Sequence, residues 1–460
     1  MTTSCKMSVC VSRPVVPRGM SARLSRRAFN LTVQPLRLNS VVRTSRSGVF
    51  IRAAAAAPAP TEGKPAPKKK VDNAAVVEKE LGEKGDKVFI AATAPAVRLG
   101  ISEEFGLPPG TNSEKQMVSA LRKAGFDYVF DVNFSADLTI LEEGTELLNR
   151  LVANVKGEAD APPLPMFTSC CPGWIDEIEK RHGELIPNIS TCKSPQGMLG
   201  AVVKHYFAEK IGRKPEDVEL VSIMPCVRKL GESERPQNQS VESGKDVDFV
   251  LTTVECANLL RSKGIELTEM EEDEYDEMLG TSSGAAQLFG TTGGVMEAAL
   301  RTVYEVVTGK QMERLEINEV RGLEGVKEAV VEMKPIPGGI LANGDKDDQE
   351  PIQVRVAVAN GLGNAKALVQ QVKDGESPYH FIEVMACPGG CINGAGQPRS
   401  KDKTIGAQRQ SGMYDIDERR VIRQSHKNPR VQQLYDEFLE TPNGHLAHKL
   451  LHTYYQPKTK

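Results

Sequence analysis

Two hydrophobic periods take turns along this chain. Lys87–Thr93 (KVFIAAT) is a short apolar run behind a charged stretch, the pattern of a buried strand. Ser113–Ala124 follows with Met117, Leu121 and Ala124 at helical spacing, and Ser113 stands where an N-cap belongs. Strand-like runs recur at Phe126–Val132, Leu164–Thr168, Glu219–Met224, Val247–Thr252, Ile352–Ala359 and Phe381–Met385. Helix-like segments recur at Ala136–Val152, with Leu138, Leu141, Leu148 and Leu151 inward, and at Pro195–Lys210, Gly294–Val307 and Asn364–Lys373. This alternation predicts an α/β fold of parallel or mixed sheets flanked by helices. Residues 401–460 turn helical and charged and read as a small C-terminal unit. Glu269–Glu277 is strongly acidic and reads as a solvated face, and Met333–Pro351 as a loop.

The N-terminus breaks the pattern. Residues 1–61 hold ten basic residues and eight serines but no acidic residue. Without those ten, 48 basic residues face 61 acidic ones, so an acidic body follows a basic leader. An Arg- and Ser-rich, acid-poor leader predicts an organelle transit peptide, assigned to 1–56. Residues 57–85, rich in Ala, Pro and Lys, read as a disordered linker, which places the main globular body at 86–400. An acidic body argues against nucleic-acid binding, and no apolar run is long enough for a membrane span.

Of nine cysteines, seven lie in the body, and three predicted strands run directly into five of these. Leu164–Thr168 leads to Ser169-Cys170-Cys171-Pro172-Gly173-Trp174. Glu219–Met224 leads to Pro225-Cys226. Phe381–Met385 leads to Ala386-Cys387-Pro388-Gly389-Gly390-Cys391. Carboxyl ends of parallel strands form the ligand crevice of an open sheet, so these thiols converge there. Four thiolates suit zinc or an iron–sulfur cluster. Spacings of 55, 161 and 4 residues between Cys171, Cys226, Cys387 and Cys391, with no C-x2-C pair, disfavour a zinc ribbon. Cys192 and Cys256 read as buried structural thiols. His445, His448 and His452 read as a surface helix, and Gly361-Leu362-Gly363 as a tight strand–helix turn rather than a dinucleotide fingerprint.

The segments Thr168–Trp174, Met224–Lys229 and Glu383–Cys391 closely resemble the three signature motifs of [FeFe]-hydrogenases, over a match running from about Lys87 to the C-terminus. The minimal layout and the leader resemble the green-algal, chloroplast type without accessory iron–sulfur domains. The resemblance implies two lobes with the active site in the cleft between them. It implies a [4Fe–4S] cluster on Cys171, Cys226, Cys387 and Cys391, with Cys391 bridging to a di-iron unit carrying CO, cyanide and azadithiolate (together the H-cluster). Lys229, Met224, Met385, Pro95, Ala96, Pro195, Gln196 and Phe289 match pocket segments. Cys170 matches a proton-passing thiol, with Glu143, Ser190, Glu146 and Arg150 continuing the relay; the two glutamates and Arg150 share one helix face.

The implied reaction is reversible reduction of protons to H2, with electrons from reduced plant-type ferredoxin. Arg399, Lys401, Lys403 and Arg409 are candidates for a basic docking patch on the acidic body. Maturation proteins for di-iron insertion, a stromal location and a monomeric state complete the expectation. The other classes are a non-enzymatic iron–sulfur assembly homologue, which would carry extra N-terminal cysteines and degraded relay motifs, and an H2 sensor, which would carry a sensory domain.

Overall fold

The computed structural model describes residues 71–242 and 244–458. The transit-peptide segment lies outside them. Two four-stranded sheets organise the fold. The first has the order β2-β1-β4-β5, from β1 (Val88–Thr93), β2 (Tyr128–Asp131), β4 (Val218–Met224) and β5 (Phe249–Thr252), all parallel. The second has the order β3-β8-β7-β6, from β3 (Met166–Phe167), β6 (Val326–Met333), β7 (Ile352–Asn360) and β8 (Phe381–Met385). Only β6 runs antiparallel there, paired along its whole length with β7.

Helices cover both sheets: α1 (Asn73–Gly82), α2 (Val97–Glu104), α3 (Glu114–Ala124), α4 (Val132–Val155), α5 (Pro172–Arg181) and α6 (Pro195–Val202) in the first half. A π turn carries α6 on to Lys210, so the predicted 195–210 helix is continuous. The predicted helix near 294–307 spans Gly294–Thr308, and the C-terminal unit is helical as expected. At 24 residues, α4 is the longest of these and is buried almost all round. Its Phe134, Leu138 and Leu141 join the core under the first sheet. Its Ala136, Ile140, Leu147, Leu148 and Leu151 join the core shared by Gly294–Thr308 and the second sheet. One helix thus belongs to both lobes, which explains why its apolar stripe is wider than a surface helix needs.

Four expectations need correction. The segment assigned to a linker folds over Asn73–Gly82: Ala74, Val77 and Leu81 recur at helical spacing and are buried in the first core. Asp72 caps this helix by accepting from the Ala75 amide. Compositional bias in the preceding Ala-Pro-Lys run masked that period. Ser113 makes no side-chain cap; the Asn112 carboxamide oxygen instead accepts from the Glu114 amide at 3.1 Å. The 269–277 segment is not merely solvated. Arg122 pairs with Asp273, Asp276 accepts from the Val129 amide at 2.7 Å, and the Tyr275 hydroxyl meets Thr93 at 2.6 Å. Finally, His452 is buried, unlike the exposed His445 and His448.

Candidate functional site

Strand ends build the site. β1 and β4 of one sheet and β3 and β8 of the other turn their carboxyl ends toward a single cavity. Ala94, Pro95 and Ala96 follow β1, Met224, Pro225 and Cys226 close β4, and Met385, Ala386 and Cys387 close β8. Cys170 and Cys171 enter from the turn after β3, and Cys391 and Gly394 complete that side. The roof comes from Val132 and Ala136 of α4, Pro195 and Gln196 at the start of α6, and Phe289 and Gly290. All eight predicted pocket residues line this cavity together with all four predicted ligand cysteines and Cys170.

Local sequence explains each placement. Cys171 is the N-cap residue of α5 and Pro172 its first turn, so the chain leaves β3 and enters a helix at the thiol. Gly173 is required there, because a Cβ would come within 2.8 Å of the Ala386 side chain. Between Cys387 and Cys391, Gly389 and Gly390 adopt φ of +88° and +86°, where L side chains are strained. A Cβ on Gly390 would also meet the Thr292 amide at 2.6 Å. Backbone amides turn toward two of the sulfurs: Ala386 donates to Cys171 Sγ and Arg228 to Cys226 Sγ, both at 3.4 Å.

Lys229 is buried in the wall. Its ammonium donates to the Cys170 carbonyl at 3.1 Å and to the two Glu232 carboxylate oxygens at 2.9 and 3.0 Å. Gln196 donates to the Lys229 carbonyl, while its own carboxamide oxygen is buried without a partner.

The five relay candidates form a row leading away from the cavity. Glu143 is 1% exposed; one carboxylate oxygen accepts from the Ser169 amide at 3.3 Å and the other has no partner. Burial, with Glu146 nearby, pushes its carboxyl up to about 8. Ser190 stands against Glu143 and donates to Glu146 at 2.8 Å. Arg150 donates to Glu146 at 2.7 Å and to the Ile189 carbonyl at 3.0 Å. Burial also pushes the Cys170 thiol up, so it is held neutral. Glu142, the neighbour on the helix, faces away and accepts from the Asn443 amide and Tyr435.

Sequence reasoning missed several supporting residues. Glu232 anchors Lys229, the Thr191 amide donates to Glu146, and Asn360 accepts from the Gly389 amide at 2.6 Å. Only Thr191, next to Ser190, carried a local signal. Of the basic candidates, Arg399, Lys401 and Lys403 are exposed. Arg409 is not available: it is 3% exposed, forks onto Glu103 and donates to the Ile392 and Pro398 carbonyls. It ties the C-terminal unit to α2.

The donor set fits an iron–sulfur assembly: four thiols around an apolar cavity, with amides aimed at sulfur and one buried cation in the wall. Two family models cover the chain, the C-terminal domain of the iron-only hydrogenase large subunit over residues 87–395 and the iron hydrogenase small subunit over 403–458. The chain belongs to the iron-only, or [FeFe]-, hydrogenase family. A solved variant of [FeFe]-hydrogenase HydA1 from Chlamydomonas reinhardtii is similar at 48% identity and a TM-score of 0.72, over 83% of this chain and 98% of that one. A structure describing oxygen inactivation through the 2Fe subcluster of the H cluster is similar at 48% identity and a TM-score of 0.75, over 84% and 99%.

Among curated relatives, the NADP-reducing hydrogenase subunit HndD of Solidesulfovibrio fructosivorans is 44% identical over 80% of this chain. This chain spans 60% of that subunit's length. Cytosolic iron-sulfur assembly component 3 of Bos taurus is more distant, at 33% identity over 81% of this chain and 75% of its own length. The family's cofactor is the H-cluster, a [4Fe–4S] cluster joined to a 2Fe subcluster.

Proposed function

We propose that this protein is a chloroplast [FeFe]-hydrogenase that reversibly reduces protons to H2 with electrons from reduced plant-type ferredoxin. The observation that carries the reading is the meeting of four cysteines from three distant motifs around one cavity, with a buried carboxyl row leading out from it. Cys171, Cys226, Cys387 and Cys391 would hold the [4Fe–4S] cluster, and Cys391 would also hold the 2Fe subcluster. When bound, the cofactor supplies the redox chemistry that joins protons and electrons.

The chain does the rest. Met224, Met385, Pro95, Ala96, Pro195 and Phe289 pack the pocket and keep it dry. Lys229, fixed by Glu232, and the unpartnered Gln196 oxygen offer the polar contacts. Protons pass along Arg150, Glu146, Ser190 and Glu143 to the Cys170 thiol; Arg150 and Ser190 both donate to Glu146, and Ser190 also stands against Glu143. A thiol and a carboxyl that stay neutral exchange protons without leaving charge in an apolar pocket. Exposed Arg399, Lys401 and Lys403 attract the acidic donor. The enzyme acts as a monomer in the stroma after maturation proteins install the di-iron unit.

The assembly-factor reading is disfavoured by the complete relay, which such a protein has no use for. The deciding experiment is H2 evolution from a reduced dye, using protein produced without oxygen alongside maturation proteins, with Cys171→Ala as control. H2 from the parent and none from the control is expected. No H2 from a parent that carries both cofactor parts would overturn the reading.

A further inference from the structure

A second group of metal-binding side chains lies outside the cavity, at the outer end of the relay. A carboxylate oxygen of Glu146, the Cys192 thiol and an imidazole nitrogen of His452 stand within 4.8 Å of one another. They come from α4, from the loop before α6 and from the end of the His445–Leu451 helix. Backbone contacts fix the juxtaposition. Cys192 and His452 form an antiparallel bridge, Thr453 donates to the Thr191 carbonyl at 2.7 Å, and Lys193 donates to the Leu451 carbonyl at 2.8 Å. Cys192 is fully buried, whereas the Glu146 side chain is 12% exposed, so one edge of the group reaches solvent.

The donor types select the ion. Thiolate, imidazole and a single carboxylate form a borderline-soft set that suits zinc and its neighbours, not magnesium or calcium. His452 is also oriented as a ligand would be. Its Nε2 lies 3.1 Å from the Glu142 carboxylate, which Tyr435 and Asn443 hold in place. Carboxylate–imidazole pairing of this kind fixes the tautomer of metal-binding histidines. It leaves Nδ1, now 2.7 Å from the Thr191 hydroxyl, as the ligand nitrogen. Burial, with Glu146, Glu143 and Glu142 nearby, pushes the Cys192 thiol up, and the Glu146 and Glu142 carboxylates beside it attract a cation.

We propose that Glu146, Cys192 and His452 bind a divalent cation of the zinc class, which closes the proton relay. On coordination the Cys192 thiol releases its proton to water and Nδ1 gives up the Thr191 hydroxyl. Glu146 gives up Ser190 and keeps Arg150 on its other oxygen. A water completes the tetrahedron. Glu146 then no longer exchanges protons with Ser190, and this consequence rests on the relay reading above.

The test uses anoxic holoenzyme, as parent, Cys192→Ala and His452→Gln. Cobalt(II) is titrated as the optical probe, and Zn2+ is added during dye-driven H2 evolution. The parent is expected to show a thiolate-to-cobalt charge-transfer band that Cys192→Ala lacks. Zinc is expected to slow the parent reversibly, with half-inhibition needing about tenfold more zinc or higher in either variant. No such band in the parent, or equal zinc sensitivity in all three proteins, overturns the site. A full cobalt band with undiminished turnover under zinc overturns the closure, and with it the route through Glu146.

Discussion

Replacing Glu143 by glutamine separates two properties that the fold ties to one carboxyl. The group is 1% exposed, with one oxygen unpartnered. Its pKa rises from 4.5 to about 8, and at about 1.4 kcal/mol per pKa unit the displacement is worth on the order of 5 kcal/mol. Between those pH values the folded protein keeps a proton that the unfolded chain has lost. Stability therefore falls as pH rises through the window and levels off above about 8. Glutamine has the same shape and no proton to lose, so the variant lacks this part of the decline. Its advantage over the parent grows from almost nothing at pH 4 to a few kcal/mol at pH 8, about 1.4 kcal/mol for each pH unit within the window. Glutamine also cannot carry a proton, so dye-driven H2 evolution drops by about 10²-fold or more. Denaturant midpoints of both proteins at a series of pH values, read beside turnover and iron content, make the comparison. Parallel stability curves would refute the raised carboxyl, and an unchanged rate at equal iron content would refute its place in the relay.

Three other substitutions probe separate parts of the account. Cys170→Ser should keep the iron content and the CO and cyanide infrared bands while H2 evolution collapses; retained turnover would remove this thiol from the relay. Changing Arg399, Lys401 and Lys403 together to Glu should raise KM for ferredoxin about tenfold at low salt and leave dye-driven turnover unchanged, because surface charge acts mainly on encounter. An unaltered KM would place the donor elsewhere. Val77→Ala should cost about 2 kcal/mol of stability, as two methyl groups leave a filled core; a cost near zero would mean that α1 does not contribute to the fold.

The convergence of the four proposed ligand cysteines was legible because strand ends are chemically marked. An apolar run that stops in Cys with Pro or Gly beside it announces a turn and a donor at once, and three such endings converge in the fold. The relay face of α4 was legible for the same reason, since i, i+3 and i+7 spacing is local. What escaped depends on distance along the chain. β6 has alternating burial, but Lys327, Glu328 and Glu332 interrupt its apolar run, and only pairing with β7 defines it as a strand. α5 begins at Pro172, directly behind a cysteine, and has no counterpart among the predicted helices. Arg409 looked like a surface charge because its partner, Glu103, lies some 300 residues earlier on α2. His452 looked exposed because Glu142 and Thr191 approach it from other elements.

Infrared and iron analysis of Cys391→Ala beside the parent, both matured without oxygen, tests the central assignment most directly. The parent should show CO and cyanide bands and iron for both cofactor parts. The variant should lose the bands, because the thiolate proposed to join the 2Fe subcluster to the protein is gone. A Cys391→Ala protein that keeps those bands at parental intensity would contradict the assignment of Cys391 as the bridge.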